Sequence, residues 1–96
     1  MFIVTLNYLR PLAELDALMP QHVAWLKEHY DAGLFIASGR QKPRKGGVIL
    51  TRTVSRARLK AILAKDPFVK SGCASAEVVE FTPSMTAPGA EALRDI

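Results

Sequence analysis

The sequence predicts an α+β fold in which four strands and two helices follow the order β-α-β-β-α-β, with the strands in one antiparallel sheet and both helices on one of its faces. Three observations predict it. The chain opens on a run rich in β-branched and aromatic residues, FIVTLNYL, and ends its patterned part on a second such run, CASAEVVEF. Two segments carry apolar residues at helical spacing, one after the first strand and one before the last. Between them, two short apolar runs flank a polar loop with glycine at either end, which is how a hairpin is written.

Phe2 to Leu9 places Phe2, Val4, Leu6 and Tyr8 on one side and Ile3, Thr5 and Asn7 on the other, a half-buried strand stopped by Arg10-Pro11. Leu12 to Met19 reads as a short helical segment. Pro20 suits a first helical position and clashes with a preceding turn, so a break is expected there, followed by a main helix to about Ala32-Gly33. On that helix His22, Trp25, Leu26, His29 and Tyr30 share an apolar arc opposite Lys27, Glu28 and Asp31. The break would put His22 in a first turn, where free backbone N–H groups favour the neutral imidazole. Leu34 to Ser38 is the second strand, Gly39 opens the loop Arg40 to Gly47, and Val48 to Thr53 is the third strand, its antiparallel neighbour. Ser55 is placed to cap a second helix, Arg56 to Lys65, with Leu59, Ile62 and Leu63 on one face. Asp66-Pro67 ends it, Phe68-Val69 forms an apolar anchor, and Gly72 leads into the fourth strand, Cys73 to Phe81. One domain, residues 1–83, is expected, with a tail over 84–96 that holds a short helix after Pro88. The arrangement is ferredoxin-like. Apolar residues on both sides of the first strand suggest that the second sheet face is also covered, and in a chain this small a second copy is the economical cover.

Ninety-six residues, 49% apolar and 23% charged, make a compact domain that buries about 60–65% of its unfolded surface. No run of eighteen apolar residues is present and the chain begins MFIVTLNYL without a basic leader, so a cytoplasmic protein with no membrane role is expected. One cysteine, Cys73, makes neither an intrachain disulfide nor a metal knuckle. The net charge of +4 is concentrated: eight of the basic residues lie between Arg40 and Lys60, with no acidic residue among them. Such a patch attracts anions. Without interleaved aromatics or a recognisable DNA-binding spacing, it points to a small anionic ligand or a solvated surface rather than to nucleic acid.

His22 in an apolar arc is either a satisfied interior histidine or a general acid–base group. Asp31 is close in sequence but lies nine helical residues away, about 13 Å along the axis and on the other side. Asp66, held in a turn at the end of the second helix on the same sheet face, is the better partner, and as a bland alternative it is simply a turn residue. Ser38 and Gly39 end a strand close to where a ligand would enter, Ser38 can donate one hydrogen bond to it, and Arg40 can clamp a carboxylate in bidentate fashion. His29 is seven residues from His22 but no third ligand joins them, so no metal is expected. No dinucleotide fingerprint, phosphate loop or CxxC pair is present, and no cofactor is expected.

The segments MFIVTLNY, PQHVAWLKEHYDAGLFIASG, VILT and DPFVKSG together resemble the YciI-like, or YCII-related, family, and the likeness runs from Phe2 to Phe81. The resemblance implies a dimeric ferredoxin-like α+β barrel. It also implies that the family's active-centre histidine and aspartate fall on His22 and Asp66. Relatives that eliminate chloride from chlorinated hydroxyquinones, and muconolactone isomerases that share the barrel, imply proton abstraction from small cyclic compounds. The chain departs from the family where Gly39-Arg40-Gln41-Lys42 follows the second strand, which shifts the expected substrate toward an anion. The expectation is a homodimeric enzyme, an isomerase or a dehydrochlorinase-like lyase, in which His22 moves a proton, Asp66 orients it, and Ser38, Gly39 and Arg40 hold an oxygenated substrate. The rival is a non-catalytic ligand-binding or structural dimer that keeps the same fold.

Overall fold

A computed structural model describes residues 1–95. Its elements are β1 (Phe2–Tyr8), α1 (Leu12–Asp31), β2 (Phe35–Arg40), β3 (Gly46–Thr51), α2 (Arg56–Ala64), a one-turn α3 (Pro67–Lys70) and β4 (Ala74–Glu80), followed by a 3₁₀ helix, Glu91–Asp95. Ile96, the last residue of the expected tail, lies outside the described residues. The strands form one antiparallel sheet in the order β2-β3-β1-β4, with the helices on one face, which is the ferredoxin-like α+β fold. No helix among the described residues is long and apolar enough to cross a membrane.

The period of two in β1 decides which face meets the helices. Phe2, Val4 and Leu6 are buried there, with Ile49 of β3, while Ile3, Thr5 and Asn7 are half-buried on the other face. The core closes over them with Trp25 of α1, Leu34 and Phe35, and Leu59 and Leu63 of α2. A second cluster, Leu15, Phe68, Cys73 and Ala74, extends it beneath α3. Ser55 Oγ accepts the Arg58 N–H and caps α2 as the sequence predicts.

Two local expectations are overturned. Pro20 does not break the first helix: α1 runs unbroken through it for 20 residues. Pro20 is solvent-exposed, and the apolar anchors on its two sides, Leu15 before and His22 with Trp25 after, are all buried in the core, so both halves of the helix are held to one surface. His22 therefore sits in the middle of a helix rather than in a first turn, and the expected field of free N–H groups is absent from it.

The hairpin is also tighter than expected. Gly39 is a strand residue rather than a turn, β2 continues to Arg40, and β3 begins at Gly46, leaving only Gln41 to Lys45 as loop. The reason is the glycine pair: a Cβ at Gly46 would stand 1.8 Å from the Leu6 carbonyl oxygen, so only glycine lets β3 start there. The Gln41 N–H donates to the Gly46 carbonyl at 2.9 Å and closes the turn. Arg40, placed in a flexible loop by sequence reasoning, thus has a strand's fixed backbone.

Candidate active site

The site begins with Asp66. Pro67 occupies the first helical position of α3 and has no N–H to satisfy, and the Asp66 carboxylate caps the turn by accepting the Phe68 N–H on Oδ1 at 3.0 Å. This capping role holds the carboxylate in place, and the packing above it leaves Asp66 0% exposed. The same Oδ1 lies 2.7 Å from His22 Nδ1. An ionised carboxylate can only accept, so Nδ1 carries the proton, and the lone pair of a neutral ring is then on Nε2. Nε2 has no hydrogen-bond partner among the described residues. Asp66 Oδ2 is buried and likewise without a partner, so the carboxylate charge is answered chiefly at His22.

The ring is held on its faces as well as at its nitrogen. Phe68 stacks on His22 with centroids 4.0 Å apart and planes 9° from parallel, and Trp25 tilts against it at 5.7 Å. The aspartate that caps α3 thus also sets Phe68 beneath the imidazole it orients. His22 is 8% exposed, and that opening leads into a cavity of about 120 Å³ between α1 and the sheet. The helix wall is Met19, His22, Val23 and Leu26, with Phe68 beside them; the sheet wall is Leu6 and Tyr8 of β1, Ser38, Gly39 and Arg40 of β2, and Gly47 to Ile49 of β3. The space is somewhat smaller than the closed cavity of about 150 Å³ that accepts a benzene molecule, but it is open at its mouth, so a single compact ring can enter it edge-first with its substituents at the opening.

Ser38, Gly39 and Arg40 therefore stand in the same cavity as His22, while Asp66 stands behind His22 and out of it. Tyr30 OH donates to Ser38 Oγ at 2.8 Å. At the Tyr8 edge, Arg44 of the hairpin loop pairs with Asp16 of α1. That ion pair holds the Asp16 carboxyl below its ordinary value and the Arg44 guanidinium above its own, and Arg40 adds a smaller pull on Asp16. Two guanidinium groups beside one carboxylate leave this edge of the cavity net positive.

His29 is not in the cavity; it packs against Trp25 and Phe35. Asp31 is exposed at the end of α1. No group of three or more potential metal ligands occurs among the described residues. Sequence reasoning missed the stacking of Phe68 on His22, the Tyr30–Ser38 bond and the Asp16–Arg44 pair. The first had a signal, since Asp-Pro-Phe fixes a phenyl ring one turn from its carboxylate; the other two join residues with no sequence pattern between them.

A sequence model of the YCII-related domain matches residues 1–82. The chain belongs to the YCII-related family. Among curated proteins no match is found. Among solved structures, this YCII-related chain is similar to 5-chloro-2-hydroxyhydroquinone dehydrochlorinase from Burkholderia phenoliruptrix AC1100 in complex with 2,5-dihydroxybenzoquinone. The TM-score is 0.71 over 85% of this chain and 94% of that one, at 18% identity, a likeness of fold.

Proposed function

We propose that this protein is a small-molecule enzyme that moves a proton on a compact, oxygenated or anionic ring compound, with His22 as the acid–base group and Asp66 as its orienting partner. The observation that carries the reading is the 2.7 Å contact between His22 Nδ1 and a fully buried carboxylate, with the ring at the wall of a cavity. A base oriented in this way presents its Nε2 lone pair to a bound molecule, and the buried carboxylate stabilises the imidazolium that forms when Nε2 takes a proton. Leu6, Val23, Leu26 and Phe68 supply the apolar walls for a ring, and Ser38 and Arg40 supply donors for its oxygen substituents, with Gly39 keeping the strand thin between them.

Two outcomes follow from the same first step. In an elimination, Nε2 takes one proton, the electron pair that held it moves into the ring system, and chloride leaves with the C–Cl pair, so one proton and one chloride are lost per turnover. In an isomerisation the proton returns to a second carbon and nothing leaves. The solved relative, named as a dehydrochlorinase and bound to 2,5-dihydroxybenzoquinone, supports the elimination.

A homodimer in the cytoplasm belongs to this proposal. On the sheet face away from the helices, Leu50 pairs with Ile3 and Ile3 with Val79, and Val79 is 59% exposed. A second copy laid on this apolar row would cover it.

The test is chloride release from 5-chloro-2-hydroxyhydroquinone, together with solvent deuterium exchange into 2,5-dihydroxybenzoquinone. The wild type should catalyse at least one of the two, and His22→Gln should lose it by about 10²–10⁴-fold. Equal rates in the two proteins, or binding with neither reaction, would replace the enzyme reading with that of a binding module.

A further inference from the structure

Ser38 lies on edge strand β2 opposite Ile49, on the helix side of the sheet, with its side chain at the cavity wall. A serine hydroxyl carries one proton and two lone pairs, and by itself it rotates. Here it is not left to itself. Tyr30, on the last turn of α1, donates its phenolic proton to Ser38 Oγ at 2.8 Å, and its ring is held edge-on against Phe35 with centroids 6.0 Å apart at 89°. With one lone pair of Oγ occupied by Tyr30, the Ser38 proton is turned elsewhere, and among the described residues it meets no acceptor. The guanidinium of Arg40, two residues on along the same face, also has no hydrogen-bonded acceptor there. Ser38 and Arg40 are both exposed at the mouth of the cavity, so their donors face water, and an anionic oxygen bound there would meet two donors, one of them charged, on the same strand face.

Building on the acid–base reading of His22, we propose that Tyr30 is a positioning residue for substrate selection: by donating to Ser38 Oγ it turns the Ser38 proton, beside Arg40, toward the ionised oxygen of the bound ring. Tyr30 itself does not line the cavity and acts only through Ser38. Without its phenolic hydroxyl, Ser38 rotates freely between donating and accepting; only the donating rotamer suits an oxyanion, whereas a neutral hydroxyl is met by either. Tyr30 therefore selects ionised over neutral rings and does not merely add affinity.

Titration calorimetry with 2,5-dihydroxybenzoquinone, an acidic ring, and with hydroquinone, a neutral one, measures this directly. Tyr30→Phe should weaken binding of the acidic ring by about fivefold to tenfold and leave the affinity for hydroquinone within about twofold, so the selectivity falls. Ser38→Ala should do the same, and the double variant should be no weaker than Ser38→Ala alone, because the first residue works through the second. Equal losses for both rings in Tyr30→Phe, an unchanged selectivity, multiplying effects in the double variant, or no binding of the acidic ring by the wild type would each overturn the proposal. The same titrations of His22→Gln keep the two readings apart. A Tyr30→Phe protein with unchanged selectivity but a wild-type, His22-dependent reaction rate would leave the acid–base reading standing, whereas a His22-independent rate would not.

Discussion

Asp66→Asn separates the charge of Asp66 from its place in the fold. In the native protein one oxygen, Oδ1, both caps α3 through the Phe68 N–H at 3.0 Å and faces His22 Nδ1 at 2.7 Å. Asparagine keeps an oxygen of the same reach and is as good a cap as aspartate, so the turn and the stacked Phe68 survive. Its amide nitrogen takes the position of Oδ2, which is already buried without a partner, and the stability should change by no more than about 1–2 kcal/mol. What disappears is the negative charge facing the ring. Proton transfer by His22 should then fall about 10²–10⁴-fold, because the imidazolium forms with no counter-charge. Asp66→Ala is the contrasting case. It removes the cap, worth about 1 kcal/mol, and the hydrogen bond to His22, worth about 1.5–3 kcal/mol, and should lower Tm by roughly 10–30 °C. Thermal unfolding followed by circular dichroism, beside the rate of chloride release, separates these effects. An Asp66→Asn protein with the wild-type rate, or one as unstable as Asp66→Ala, would show that Asp66 serves the fold alone.

Three further outcomes follow from the fold. Gly46→Ala forces a methyl group against the Leu6 carbonyl, 1.8 Å from an ideal Cβ, and should cost at least about 1–3 kcal/mol in urea denaturation by disturbing the β1–β3 ladder. Pro20→Ala should raise stability by about 1–3 kcal/mol, since Pro20 is exposed inside a continuous helix and alanine restores the missing N–H; a lower Tm would contradict the account of α1. The Asp16 carboxyl is held below its ordinary 3.8 by Arg44, so its contribution is present above about that pH and is lost as pH falls through the lower folded value. Acid unfolding of Asp16→Asn should accordingly show a shallower loss of stability below that pH than the wild type, and an identical acid limb would contradict the pairing.

The order of the elements was legible because β1 alternates, as in the inward set Phe2, Val4 and Leu6, because the later strands are short apolar runs bounded by turn residues, and because each helix carries its own stripe. The contact of His22 with Asp66 was legible for a physical reason as well as through family likeness: Asp-Pro holds a carboxylate at the end of the second helix, on the same sheet face as His22. Pro20 misled because local propensity argues from one turn, whereas Leu15 and Trp25 bind the helix to the core from both sides. The hairpin was read too long because the fit of Gly46 against Leu6 is a contact between strands forty residues apart. Tyr30 reads in sequence only as a member of the helix's apolar arc, and its bond to Ser38 exists because α1 returns its last turn to the edge of β2.

The central claim concerns the two nitrogens of His22, and a long-range ¹H–¹⁵N spectrum of its ring during titration with 2,5-dihydroxybenzoquinone tests it most directly. Nδ1 should stay protonated against Asp66 throughout and the Nε2 resonance should move as ligand fills the cavity, with the Nδ1 signal altered in Asp66→Asn. An Nε2 resonance that is unmoved at saturating ligand, or a proton on Nε2 with Nδ1 bare beside Asp66, would contradict it.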